Sequence, residues 1–215
     1  MKTLMRKELR LALHPAGLAF LALSAMVLIP SYSYYVIFFY TELGIFFTCL
    51  SGRENQDVLY TILLPVSRKQ LAASRIGLAM VLELLQVLAV AIFSLLRRYL
   101  RIPPNSAGME ANLALTGLSL AMLALSHLVF FSVYYRDVRR VGVAFVWSSA
   151  VTFLYIAAAE IMAHTVPFVR DRLDTPDPAF LSEKLVVLTG GILLYCLFTV
   201  ISLHRSVRLF EKQDL

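Results

Sequence analysis

Polar side chains that can bind a proton or a polar ligand lie inside long apolar segments of this 215-residue chain. Most are carboxylates, and Gln86 follows Glu83 by one helical turn, which predicts that both share one helix face. A charge at the centre of a bilayer costs about 2.5–3.5 kcal/mol, so such residues face a cavity or a partner. They either line a translocation path or hydrogen-bond neighbouring helices and fix their packing. The set is Glu42, Glu83, Gln86 and Glu160.

Motifs for other chemistry are missing from the sequence. It contains no G-x-x-x-x-G-K-[ST] loop for ATP, and no H-E-x-x-H, C-x-x-C or G-x-S-x-G pattern. The four histidines fall in separate segments without metal-ligand spacing. Cys49 and Cys196 both lie in apolar segments, which indicates packing rather than a disulfide. We therefore expect no catalytic residues, no metal site and no cofactor in this chain.

The composition predicts a membrane protein. Hydrophobic residues make up 59% of the chain and charged residues 16%, with a mean hydropathy of +0.74. Soluble domains carry about 25% charged residues. The net charge of +6 comes from basic residues at the ends of apolar runs, which favours membrane topology over nucleic-acid binding. We predict an all-α, polytopic fold with residues 1–215 forming a single transmembrane domain in the lipid bilayer.

Six spans are expected after an amphipathic N-terminal helix over residues 1–14 that lies in the plane of the membrane. Glu8 falls on the apolar side of that helix and should face protein. Residues 16–50 would reach about 52 Å as one helix, against about 30 Å of hydrocarbon, so a break near Pro30 should divide them into two spans. The later spans are predicted at about Ile76–Leu96, Leu113–Tyr134, Val141–Ala163 and Leu185–Leu203.

The distribution of lysine and arginine supports this count. With six spans and both termini inside, 14 of the 20 basic residues lie on the inner side. Five spans would give no bias. Arg97 and Arg98 depart from the rule, because they fall on the outer side. The topology makes residues 164–184 an extracellular loop and residues 52–75 a cytoplasmic segment.

Residues 52–75 form a polar island between two apolar segments. It is longer than the 2–8 residues that usually connect neighbouring helices. It begins with a run of charged and amide side chains, continues with leucines and a proline, and ends in basic residues. We expect this segment to dock onto something outside the bilayer.

This arrangement resembles the ABC-2-type permeases, the membrane subunits of ATP-binding-cassette exporters. The resemblance rests on Lys7-Glu8 before the first span, Glu54-Asn55-Gln56-Asp57 after the second, and the run from Leu63 to Arg68. The most similar branch contains the permeases of the phenol-soluble-modulin exporter. The resemblance implies a bacterial plasma-membrane protein that moves an amphipathic peptide, antibiotic or lipid-like substrate outward by alternating access.

The resemblance also implies partners and contact residues. A separate ATPase subunit would bind ATP and magnesium, and a second permease, identical or a close paralogue, would pair through the first and fifth spans. A non-transporting sensor or immunity protein and a secondary transporter are the alternatives. The expected ATPase-coupling residues are Arg53, Glu54, Asn55, Asp57, Leu63, Leu64, Pro65, Val66 and Arg68, and a second cytoplasmic contact would use Arg136, Asp137, Arg139 and Arg140.

Overall fold

The computed structural model describes residues 2–213, and every regular element among them is a helix, as predicted. In chain order the helices are α1 (Lys2–Lys7), α2 (Pro15–Leu21), α3 (Tyr35–Glu54), α4 (Asp57–Ile62), α5 (Arg68–Tyr99), α6 (Leu113–Tyr134), α7 (Val141–Thr165) and α8 (Leu181–Glu211). A π-helical stretch at Glu8–Ala12 follows α1, a 3₁₀ helix at Ala22–Leu28 continues α2, and a π-helical turn at Val169–Leu173 precedes α8.

Within residues 2–213, five helices are long and apolar enough to cross a membrane, namely α3, α5, α6, α7 and α8. Residues Pro15–Leu28 are shorter than a usual span. They would reach roughly 25 Å, because a 3₁₀ helix rises about 2.0 Å per residue against 1.5 Å in an α-helix. Together with Lys2–Ala12 they form a bent pair that also passes as a sixth span. The predicted break near Pro30 is confirmed, since regular helix stops at Leu28 and resumes at Tyr35.

The N-terminal helix meets α2 at an angle of 86°. Pro15 begins α2, where its missing N–H leaves no intrahelical bond unmade, and the His14 side chain accepts a hydrogen bond from the Ala16 N–H at 3.1 Å. One side of the N-terminal helix is buried in protein, while Leu11 is 80% exposed. Glu8 is fully buried, which confirms that it faces protein.

The core of the helical bundle consists of two apolar halves with polar residues between them. One half contains Phe38 and Leu123, and the other contains Ile45 and Phe130. In each of the five long helices, buried polar residues come between members of the two halves. This polar layer contains Thr41 and Glu42 of α3, Glu83 and Gln86 of α5, Ser126 and His127 of α6, Ser148 and Thr152 of α7, and Thr199 and Ser202 of α8.

Helices α6 and α8 pack together most closely where two glycines meet. A Cβ atom on Gly191 would lie 2.0 Å from the carbonyl oxygen of Gly117, so the two backbones are in direct contact. Small residues permit such approach between helices in lipid. By contrast, Gly190 next to it has no neighbouring atom within 4 Å of a Cβ position.

At the end of the bundle opposite α4, Arg97 is buried. It forms an ion pair with Glu110 at 3.0 Å, and donates hydrogen bonds to the Val27 carbonyl at 2.9 Å and to the Tyr34 hydroxyl. Burial raises the pKa of Tyr34 to about 12, so its phenol stays protonated and donates to the Ile29 carbonyl at 3.1 Å. Arg97 therefore joins three segments at this end, and its charge is neutralised inside the protein.

Candidate functional site

The segment predicted to dock outside the bilayer contains the end of α3, all of α4, a tight loop and the start of α5. Gln56 takes a left-handed backbone conformation, with φ of 53°, and turns the chain sharply from α3 into α4. Ser67 then caps α5 through a capping box with Gln70, in which each side chain bonds the backbone N–H of the other. These two turns set where α4 and α5 begin.

A network of four charged side chains joins α4 to the N-terminal helix and to α5. Asp57, the first residue of α4, contacts Lys7 at 2.9 Å and Arg75 at 2.5 Å. Glu8 contacts the same two cations, with Arg75 Nε at 2.8 Å and Lys7 Nζ at 2.9 Å. Lys7 also donates to the hydroxyl of Thr61 in α4 at 3.3 Å. The two acids and two bases make the network electrically neutral.

This network is held where water has little access. The Glu8 side chain is 0% exposed and that of Arg75 is 3% exposed, whereas Asp57 and Lys7 sit nearer the surface. Burial of a single charge costs several kcal/mol, and the opposite charge offsets that cost only while both partners stay in place. Movement of α4 away from α5 would leave Arg75 without one of its carboxylates. The network therefore connects the N-terminal helix, α4 and α5 at this end.

The outward side of α4 and the following loop is apolar. Leu63 is 82% exposed, Tyr60 65% and Leu64 55%, and Leu59 is also exposed. These four side chains are here called the leucine knob. Polar residues adjoin the leucine knob, and exposed apolar groups with a polar rim are typical of sites that contact another protein or a membrane.

The other predicted coupling residues divide into outward and inward groups. Arg53, Glu54, Asn55 and Pro65 are exposed, and Val66 is half-buried. Arg68 instead faces inward, where it donates to the carbonyls of Phe210 at 2.8 Å, Glu211 at 3.1 Å and Gln213 at 2.7 Å. Arg68 therefore fastens the loop to the end of α8.

The predicted second contact lies at the same end of the molecule. Gln213, which accepts from Arg68, donates through its side chain to the Tyr135 carbonyl at 2.7 Å, next to the loop between α6 and α7. In that loop Asp137 accepts from the Arg139 backbone at 3.0 Å and pairs with Arg140 at 3.3 Å. The three basic side chains Arg136, Arg139 and Arg140 are exposed.

Two of the four predicted intramembrane residues come together in the polar layer. Glu42 accepts hydrogen bonds from the Thr152 hydroxyl at 2.8 and 3.1 Å. Glu83 accepts from the Tyr195 hydroxyl at 2.6 Å, and its other oxygen lies 3.1 Å from His127 Nδ1. Both carboxylates line one small cavity of about 10 Å³, which is just large enough for a single water.

The other two residues have different surroundings. Gln86 lies one turn after Glu83 on α5 and is also buried, and its amide donates to the Ser24 hydroxyl at 2.8 Å, which ties α5 to the 3₁₀ helix. Glu160 accepts from the Ser33 hydroxyl at 2.6 Å, close to the chain turn before α3. The sequence did not identify the partners of the carboxylates in the ionic network and in the polar layer. Arg75 is far along the chain from Glu8, and Tyr195 is far along the chain from Glu83.

Comparison with known families agrees with this architecture. A family model described as ABC-2 family transporter protein matches residues 3–211, which is nearly the whole chain. No characterised protein sequence and no solved structure shows significant similarity to it. The family consists of membrane components of transporters that act with an ATPase partner and are not themselves catalytic. The family match and the apolar helices together show that this multi-pass membrane protein belongs to the ABC-2 transporter family as a permease subunit.

Proposed function

We propose that the leucine knob is the docking site for the ATPase subunit and that the chain exports an amphipathic substrate. The observation that carries this proposal is the pairing of an exposed apolar group with a buried ionic network directly behind it. The knob supplies contact area, and the network supplies a rigid connection into the membrane. The exposed charges of Arg53 and Glu54 beside it would form the polar rim of the interface.

The ionic network would transmit movement from the docked ATPase to the membrane-spanning helices. When ATP draws two ATPase subunits together, α4 is pushed, and Asp57 passes the force to Arg75 on α5. Helix α5 is 32 residues long, about 48 Å at 1.5 Å per residue, so its far end reaches the opposite side of the membrane. The free energy comes from the ATPase, and this subunit converts it into a change of exposure from the inner to the outer side.

In this mechanism the polar layer is the closed middle of the pathway. Glu42 and Glu83 would meet the substrate when the helices separate, while Gln86 and Glu160 would contact it nearer the outer end. The second permease subunit would pack against α2 and α7, because α7 presents exposed apolar side chains such as Trp147 and Leu154. The exposed basic loop at residues 136–140 would make the smaller contact with the ATPase.

The test is a copurification experiment. The tagged permease is coexpressed with the ATP-binding-cassette ATPases of its own cell, and the amount of ATPase that copurifies with it is measured. Leu63→Asp combined with Leu64→Asp should reduce recovery at least tenfold, because two carboxylates would be desolvated in an apolar interface. Membrane insertion and thermal stability should stay unchanged, since neither side chain packs in the core. Asp57 is unsuitable for this test because its reversal would break the internal network.

Phe168→Asp is the matched control, because Phe168 is a large apolar residue that is 51% exposed at the other end of the molecule. It should leave ATPase recovery at the wild-type level. Equal recovery with the wild type and the knob variant would refute docking through α4. Export itself is tested separately, as ATP hydrolysis stimulated by amphipathic peptides in vesicles. Stable ATPase binding without any stimulation would favour the non-transporting alternative.

A further inference from the structure

A cavity of about 390 Å³ lies at the end of the bundle opposite the leucine knob. It sits between the last turns of α5, the first turn of α6 and the loops that precede α6 and α8. Its lining includes the apolar side chains of Leu95 and Leu113 and the guanidinium groups of Arg98 and Arg101. It is much larger than the cavity of about 10 Å³ that Glu42 and Glu83 line, and the proposed export mechanism does not use it.

The cavity has an excess of positive charge. Its two acids are already neutralised, because Glu110 pairs with the buried Arg97 at 3.0 Å and Asp177 pairs with Lys184 at 3.1 Å. Within residues 2–213, Arg98 and Arg101 form no ion pair, and both are exposed. The two arginines that depart from the charge rule thus have different environments. Arg97 is a buried structural residue, and Arg98 is free to bind an anion.

Arg101 holds its position at the cost of backbone strain. Its φ of 53° is left-handed, and the Ile102 N–H bonds the Arg97 carbonyl at 3.2 Å, the pattern that ends a helix on glycine. A left-handed arginine is less favourable than glycine at this position. Strain of this kind concentrates at binding sites, where a side chain must be presented in a fixed direction.

An apolar strip leads from the membrane-facing side of α5 to these arginines. Leu88, Ile92 and Leu95 recur at helical spacing and are 57%, 55% and 68% exposed. Tyr99, 83% exposed, follows one turn later, at the position where aromatic side chains mark the headgroup level. The apolar strip is suited to contact an acyl chain, and the arginines are suited to bind a phosphate. These two groups follow each other in a phospholipid in the same order as the strip and the arginines along α5.

We propose that this cavity binds a phospholipid with an anionic headgroup from the leaflet that faces away from the ATPase. The phosphodiester lies between Arg98 and Arg101, where guanidinium groups donate paired hydrogen bonds to its oxygens. One acyl chain runs along the apolar strip of α5. Lipid binding requires membrane insertion but not ATPase docking, and only the choice of leaflet rests on the proposed docking at the leucine knob.

The experiment is native mass spectrometry of the full chain, extracted from vesicles of phosphatidylglycerol and phosphatidylcholine with matched acyl chains. Wild-type protein should retain phosphatidylglycerol preferentially. Arg98→Gln combined with Arg101→Gly should lower that preference roughly 30-fold, because each arginine near anionic lipid contributes about 1 kcal/mol and 1.4 kcal/mol is tenfold. Arg208→Gln, which changes an exposed arginine near the opposite end of the bundle, is the control and should retain the wild-type preference.

Two further arms separate lipid binding from a structural role. Arg101→Gly alone should raise the melting temperature in zwitterionic detergent while it weakens phosphatidylglycerol retention, because glycine relieves the left-handed strain. Excess inorganic phosphate should not displace the lipid, since its chain is held by the apolar strip. Wild-type lipid preference in the double variant would overturn the proposal. Displacement by phosphate alone would overturn the lipid assignment and leave a simple anion site.

Discussion

At the scale of single residues, Glu8 shows how a local anomaly in the sequence indicates a distant contact. An acid on the apolar side of an amphipathic helix needs a buried cation, and the structure supplies Arg75 at 2.8 Å. The sequence predicted that Glu8 faces protein, but it could not identify the partner. Several basic residues flank the predicted spans, and only the three-dimensional packing of α1 against α5 selects Arg75 among them.

The first prediction concerns this pair. Glu8→Gln should lower the unfolding free energy by about 3 kcal/mol, because it leaves a buried guanidinium with Asp57 as its only carboxylate partner. Thermal unfolding in detergent measures the change. Glu54→Gln is the control, since Glu54 is exposed and 3.6 Å from Arg53, and it should unfold like the wild type.

A double-mutant cycle with Arg75→Gln checks that the effect belongs to the pair. The combined variant should lose clearly less stability than the sum of the two single variants, because the second change removes the charge that the first leaves uncompensated. Simple additivity would show that Glu8 and Arg75 stabilise the protein independently and that the network is not a unit.

At the scale of helices, the sequence predicted positions well and contacts poorly. The spans at residues 113–134 and 141–163 match α6 and α7 closely, because long apolar runs with polar ends specify where a membrane helix begins and ends. Glu83 and Gln86 are both buried one turn apart on α5, but the sequence did not identify their partners, since α5 contacts the 3₁₀ helix at Gln86 and α8 at Glu83. Helix rotation in a bundle depends on packing between distant segments, which spacing within one helix does not contain.

The second prediction tests the closest helix contact. Gly191→Ala should destabilise the protein by about 1–3 kcal/mol, because its Cβ would overlap the Gly117 carbonyl and force α6 and α8 apart. Gly190→Ala is the matched control on the same helix. It should be neutral or stabilise by up to about 1 kcal/mol, since alanine favours helix and the position faces open space. Similar melting temperatures for the two variants would contradict a close α6–α8 contact.

At the scale of the whole molecule, the two ends of the bundle have opposite characters. The knob, the neutral ionic network and the basic loop of residues 136–140 share one end, and the cavity with its free arginines lies at the other. The predicted division of basic residues between the two sides of the membrane follows the same axis. Which end is cytoplasmic follows from the charge rule and stays a prediction.

The third prediction tests this orientation by cysteine labelling in intact cells, in a background with Cys49→Ala and Cys196→Ala. Lys69→Cys, on the α5 side of the knob loop, should resist a membrane-impermeant thiol reagent. Ala107→Cys, exposed in the loop before α6, should be labelled. The positive-inside distribution is the physical reason. Labelling of position 69 from outside, with protection of position 107, would invert the topology and place the knob outside the cell.

The ionic network also has a consequence for biosynthesis. Lys7 and Asp57 are 50 residues apart, and Arg75 follows later still. A ribosome adds about 5–20 residues per second, so Asp57 is made roughly 3–10 seconds after Lys7. During that interval Lys7 has no Asp57 to contact, and Glu8 has no Arg75. If the N-terminal segment lies on the inner side, as the charge rule predicts, its basic charge acts first as an orienting signal for the translocation machinery, and becomes part of the neutral network only when α5 is complete.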